Sequence, residues 1–454
     1  MTTPLTRTLG KFIAELRYEQ IPAEALSVIH MGFTDCVGVM IAGRNEPAPQ
    51  KLKLALAPAP GEASLLFGEA SASVAEAAWI NGTAAHALDY DDVALRGHPS
   101  TVLVPAILAE AEALGATGRR MVSAYAAGYE TWAELVSRDV DQHHTKGWHP
   151  TGIFGAIAAS AACASLRGLD AEQAAHAIAL GASQSAGLTA NFGTMTKPFH
   201  AGRAAHSGVM AARLAAQGFT AALDALEHPQ GFLAAVSPAG RFDVESPLEG
   251  AWKWRMPKSR LSVKKYPMCF ATHRALDGML DLLKATPLDA RRIRRVTVSI
   301  SRRNTKILRN HSPQTGLEAK FSMQFAMAAA LIAGRATLAE LSDDFVRRAD
   351  VQEMMRRVTV EPDERLDPNP NANGYAIYDL VTLETEDGRR LVGEQINQVR
   401  GGPDKPLSRD ELWTKFEGCL QAGALPVPAR PLFDALMALD TCPNAKQLYR
   451  QAAR

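Results

Sequence analysis

Cysteine is scarce in this 454-residue chain: Cys36, Cys163, Cys269, Cys419 and Cys442 are scattered and odd in number. None sits in CxxC or paired-ligand spacing, so no disulfide framework and no zinc or iron–sulfur site is expected. Reduced thiols in a cytoplasmic protein are the natural reading. Net charge is almost nil, with Lys+Arg 49 against Asp+Glu 48. A nucleic acid or a membrane surface would call for a concentrated positive field, so neither partner is expected. The N-terminus MTTPLTRTLGKFIAELRYEQ has no apolar signal core, and polar residues interrupt the other apolar stretches. No bilayer span is therefore expected. Gly-rich phosphate loops, a G-x-S-x-G elbow and HExxH are missing too. No metal site is expected.

What remains is an ordinary globular composition, 47% hydrophobic and 21% charged, in a chain long enough for two or three domains. From about residue 5 to 255 the pattern is helical. Segments 71–88 and 152–168 are Ala-rich and apolar nearly all round, as helices inside a helical body are. Turn signals at 115–118, 168–170 and 218–220 divide the region. Near Leu261 the pattern changes. RRVTVSIS (294–301) alternates as a half-buried strand, and RVTVEPD (357–363) reads as a second. The segment 375–396 reads as a hairpin turning at Asp387-Gly388. Helices are expected at 273–283, 322–333, 343–356, 407–420 and 428–439. The fold class is thus mainly α, with a smaller α+β domain. We expect a helical domain over 1–262, completed by 399–454, and an α/β lid domain over 263–398.

Chemistry-bearing residues gather in a few places. HALDYDDVALRGHPS (86–100) puts His86 and Asp89 on one helical face, beside Asp92. A carboxylate next to an imidazole is the minimum for acid–base work. Asp89, just past an apolar helix, is the strongest candidate there. Asp91 and Asp92 read as solvated loop acids and His86 as a core histidine. Arg96 and His98 stand ahead of a helix for which Ser100 is the expected N-cap, a place suited to an anion. In GWHPTGIFG (147–155), His149 precedes a helix with Thr151 as its expected cap, while HHTK upstream reads as a surface loop. In NFGTMTKPFHAGRAAH, Thr196 and Pro198 mark a helix start with Lys197 between them. KKYPMCFATH places Lys265 and His273 near the domain junction. Helix starts and cations recurring in this way would suit a multiply anionic small molecule.

Taken in order, HALDYDD…RGHPS, GWHPTG, GTMTKPFHAGRAA, KKYPMCFATH and EAKFSMQFAMA resemble the MmgE/PrpD family over about residues 5–420. The resemblance implies a large helical domain with a smaller α/β lid, a homodimer, and a need for neither metal nor organic cofactor. It implies that Asp89, His98, His149, Lys197 and His273 line an active site. Arg96, Thr151, Thr196 and Lys265 are then expected to meet the substrate, a small di- or tricarboxylate. The reaction would begin by removing a proton next to a carboxylate. Lys197 and His149 would hold the carboxylates, Asp89 or His273 would be the base, and His98 or His273 the acid. Val93 stands where the decarboxylase branch carries a threonine, so a dehydratase-type lyase is expected, with an iminodisuccinate-type epimerase as alternative. A helical interaction protein with a dead pocket is the second alternative.

Overall fold

The computed structural model describes residues 4–68, 70–248, 253–366 and 377–448. The chain divides into two units, Met1–Val263 with Leu412–Arg454, and Lys264–Glu411.

The first unit is helical. Its main helices are α1 (Leu5–Glu15), α2 (Ala23–Gly43), α3 (Pro47–Leu56), α4 (Val74–Ala87), α5 (Ser100–Leu114), α6 (Gly118–Ser137), α7 (Pro150–Arg167), α8 (Ala171–Ser183) and α9 (Thr196–Ala216). Most of the residues of α5 and α7 are buried, because small side chains let neighbouring backbones approach on every side. The α4–α9 contact shows how close. A Cβ on Gly202 would come 2.2 Å from the Trp79 carbonyl oxygen, and one on Gly82 would come 2.8 Å from the Gly202 Cα. Any larger residue at either position would push α9 away from α4.

Several local expectations are corrected. The stretch 71–88 begins as strand β2 (Ala70–Ala72), paired with β1 (Ala63–Leu65), and only then turns helical behind Ser73. Pro99, not Ser100, is the N-cap of α5, and the Ser100 hydroxyl instead meets the Tyr125 hydroxyl at 2.8 Å. His149, not Thr151, is the N-cap of α7. HHTK is a 3-10 turn with His143 fully buried against Asp139 and Phe154. One described helix, α2, is also long and apolar enough by composition to cross a membrane. Most of it is buried within the protein and it carries the buried Asp35.

The second unit holds a four-stranded sheet in the order β4–β3–β5–β6: β3 (Ile293–Ser301), β4 (Val358–Asp363), β5 (Leu380–Thr385) and β6 (Arg390–Val392). β3 and β4 are parallel, with Val296 opposite Val358. β3–β5 and β5–β6 are antiparallel. Val296, Val298 and Ile300 point into the core with Phe325, Met279 and Leu383, while Thr297 and Ser299 are half-buried. The β5–β6 turn runs through Gly388 at φ 83°, the left-handed conformation that glycine tolerates. Residues 375 and 376 of the expected hairpin lie outside the described residues. The expected helix 343–356 is two, Asp343–Val346 and Ala349–Arg356.

Candidate active site

The turn after α4 builds the centre of the site. Asp89 follows the helix with φ 52°, and Leu95 and Arg96 are left-handed as well, at 50° and 64°. Three non-glycine residues in this conformation within one short loop cost about 1–3 kcal/mol each. Cross-links to other elements hold them there.

The most buried cross-link is Asp91. Its two oxygens take the Nδ1 atoms of His86, at 2.8 Å, and of His98, at 2.6 Å. Burial pushes the Asp91 pKa up, but the two imidazoles prevail and hold it well below the usual carboxylate range. Burial pushes His86 down to about 4 despite Asp91, so His86 is a neutral donor at pH 7. With its Nδ1–H donated to Asp91, His98 keeps Nε2 for chemistry. The reading of Asp91 as a solvated loop acid is therefore overturned: it is fully buried and orients two rings. Asp92 is buried too. Burial, and Asp35 beside it, push its pKa well above normal, against an opposing hydrogen bond from Ser100.

On the facing helix, Pro198 sits in the first turn of α9, and Lys197 donates from Nζ to Asp89 Oδ1 at 2.8 Å. His200, one turn on, meets His149, with the two Nδ1 atoms 3.1 Å apart. His149 in turn lies 6.2 Å from His86 and 6.4 Å from His98, ring centre to ring centre. Burial, followed by the nearby His86, His98 and Lys197, drives the His149 pKa far down. The Phe192 ring meets His149 edge-on at 4.8 Å and has the Lys197 ammonium 5.6 Å from its centre. Asp89, His98, His149 and Lys197 thus cluster in the first unit.

Other expected contacts serve different ends. Thr151 Oγ1 accepts the His98 amide at 3.2 Å and so positions His98. Arg96 gives its guanidinium to the carbonyls of Asp139, Val140 and Asp141, which anchors the loop and leaves it poorly placed for a substrate carboxylate. Thr196 is half-buried at the start of α9, with its amide on Thr194 Oγ1. Lys265 and His273 belong to the second unit. There Lys265 pairs with Glu411 at 3.2 Å, and His273 is buried beside Tyr266 and Phe270 with Nε2 3.2 Å from the Met268 carbonyl.

Lys415, on the helix Arg409–Ala422, was not anticipated. Its buried ammonium lies 2.5 Å from Asp35, donates to the Tyr90 carbonyl at 2.7 Å and sits 4.0 Å from the centre of the Tyr90 ring. It therefore grips the residue directly after Asp89 from 325 positions away. No local pattern reveals such a contact.

His86, Asp89, Asp91 and His98 each place one ligand atom within 4.8 Å of the others, a set able to surround a cation. Asp89 already faces the Lys197 ammonium, and both Asp91 oxygens face imidazoles.

Two family models match in register: the MmgE/PrpD N-terminal domain over residues 7–245 and the MmgE/PrpD C-terminal domain over 266–430. The chain belongs to the MmgE/PrpD family. Among its relatives in that family is the human cis-aconitate decarboxylase, 28% identical over 354 residues, 75% of this chain and 71% of that protein. The mouse cis-aconitate decarboxylase is likewise 28% identical, over 360 residues, 75% and 70% of the two chains. An Aspergillus terreus cis-aconitate decarboxylase is 23% identical over 467 residues, 96% and 93%. In this MmgE/PrpD chain Val93 pairs through its backbone with Ser262, both hydrogen bonds being 2.9 Å.

Proposed function

We propose that the chain is a cofactor-independent lyase that acts on a small di- or tricarboxylate by proton transfer next to a carboxylate. The observation that carries this reading is the Lys197–Asp89 pair clustered with the Asp91-anchored His98 and the buried His149. Lys197 offers a fixed positive charge to a substrate carboxylate and to the negative charge that grows on it as the neighbouring carbon loses its proton. Asp89 is the base, freed from Lys197 as the substrate enters. In a dehydration, the C–H electron pair becomes the new C=C bond. Hydroxide leaves the next carbon, and His98 Nε2–H protonates it to water. His273 is kept as a second acid–base candidate, and Thr196 and Lys265 as carboxylate contacts. Each is tested by its own substitution. The protein is proposed to work as a homodimer in the cytoplasm.

A second reading is favoured by the named activity of the relatives, cis-aconitate decarboxylation. There the bond to CO₂ breaks, its electrons shift into the carbon skeleton, and a proton is added to carbon. An epimerase would exchange the α-proton and lose nothing.

One experiment separates these. Citrate, methylcitrate, cis-aconitate and iminodisuccinate are incubated with the protein in deuterated water and followed by NMR. Loss of water supports the dehydratase, loss of CO₂ the decarboxylase, and exchange alone the epimerase. No product, no exchange and no rise in melting temperature with any of the four would sink the enzymatic reading and leave an interaction protein.

A further inference from the structure

We infer that His200 is a positioning residue for His149 and the acceptor of the proton His149 takes up, so that the two imidazoles work as a relay. This rests on the proposed lyase reading and adds His149, beside Asp89 and His98, as a third group that takes a proton from substrate and returns it.

The geometry is restrictive. The two Nδ1 atoms face each other at 3.1 Å, and the side chains are buried, with 2% and 7% of each residue exposed. Two hydrogens do not fit in that gap, so only one of the facing nitrogens carries a proton. When it sits on His149 Nδ1, His149 Nε2 is a bare acceptor. When it sits on His200 Nδ1, neutral His149 holds its proton on Nε2 and becomes a donor. One short transfer thus switches His149 between base and acid.

The backbone around the pair is built for this contact. The His149 amide donates to the Gly187 carbonyl at 3.0 Å. Gly187 has φ 135°, and a Cβ there would lie 3.2 Å from His200 Cγ, 3.3 Å from its Nδ1 and 3.5 Å from His149 Cβ. Only glycine lets this turn close over both rings.

The direction follows from the surroundings. His149 is depressed by burial and then by His86, His98, Lys197 and His200, whereas His200 is depressed by burial alone. A proton arriving at His149 Nε2 therefore does not stay. The Nδ1–H bond of His149 breaks, a new N–H bond forms at His200 Nδ1, and the positive charge ends on His200. The reverse transfer restores the donor when a proton must be returned to substrate.

The test uses the full chain labelled with ¹⁵N-histidine. Long-range ¹H–¹⁵N spectra read which ring nitrogen is protonated, and the His149→Gln variant assigns the signal. Wild-type His149 is expected to be protonated at Nδ1 and bare at Nε2, and His200→Phe is expected to move the proton to Nε2. His149 unprotonated at Nδ1 in the wild type, or unchanged in His200→Phe, overturns the proposal. With a turned-over carboxylate in hand, His200→Phe should lower kcat about tenfold or more while KM stays within about twofold. His200→Gln can accept the Nδ1 hydrogen bond and cannot pass a proton, so it should keep the tautomer and not the rate. Wild-type kcat in His200→Gln would reduce His200 to an orienting group and overturn the relay. The spectra need no turnover, so failure of the lyase reading does not decide this result.

Discussion

Lys415→Met should be the most destabilising single change at the edge of the site, and its cost should depend on pH in a defined way. The ammonium it removes is the buried counter-charge of Asp35, at 2.5 Å, and the donor to the Tyr90 carbonyl, at 2.7 Å. A buried carboxylate that loses a neighbouring ammonium is held less well in its charged form and can relieve the cost by taking a proton. That escape limits the penalty: holding an acid of ordinary pKa ~3.9 protonated at pH 7 costs roughly 4 kcal/mol, at 1.36 kcal/mol per unit. Loss of the hydrogen bond to the Tyr90 carbonyl adds about 1 kcal/mol. In the variant the folded-state pKa of Asp35 is raised above its unfolded value. Stability is therefore recovered as pH falls toward ~3.9, by about 1.4 kcal/mol per unit, or nearly 3 kcal/mol between pH 7 and 5. All six tryptophans lie within Met1–Val263 and Leu412–Arg454, so urea unfolding followed by tryptophan fluorescence reads the first unit alone. Asp35→Leu combined with Lys415→Met should recover most of the loss, since a pair replaced by apolar side chains leaves no orphan charge. A Lys415→Met cost under about 1 kcal/mol at pH 7, or one that does not shrink at pH 5, would refute the reasoning.

Asp91→Asn offers one acceptor and one donor where two imidazoles each need an acceptor, so either His86 or His98 must change tautomer. With an identified substrate, kcat should fall by ~10²–10⁴ with little change in KM, and activity within threefold of wild type would count against the His98 assignment. Lys197→Ala should lower kcat roughly 100-fold or more without unfolding the chain, checked by steady-state kinetics beside circular dichroism. Because burial depresses His149, the unfolded chain binds its proton below pH ~6.5 while the folded one does not, and stability is lost as pH falls. His149→Gln should therefore flatten the acid side of the stability curve by about 1.4 kcal/mol per pH unit, and an unaltered slope would contradict the shift. Dialysis against a chelator should leave turnover and melting temperature unchanged, because ammonium and imidazole groups already face the carboxylates of the candidate cation set. A loss restored by a divalent cation would show otherwise.

The fold class was legible because it rests on local patterns. Alternation in 294–301 marks β3, and Asp387-Gly388 marks a hairpin turn. The Ala-rich runs of α4 and α7 can only be helices packed on several sides. Caps were less legible. Ser100 and Thr151 look like caps, but their hydroxyls are drawn to Tyr125 and to the His98 amide instead. The site was legible only in part. Asp89, His98, His149 and Lys197 stand out beside helix ends. Asp91 does not, because a carboxylate in DYDD gives no sign of which acid turns inward. His200 lies in plain view in KPFHAGRAAH, yet its partner is 51 residues away. The grip of Lys415 depends on tertiary packing alone.

That grip also bears on how the protein is made. The loop carrying Asp89, with its three left-handed residues, leaves the ribosome before Lys415 has been made. Its clamp follows 325 residues after Tyr90. A ribosome that stalls or terminates before residue 415 would release a chain with Asp89, His98, His149 and Lys197 all present and the turn that aims Asp89 unsecured. The contact thus makes a secured turn depend on translation continuing past residue 415.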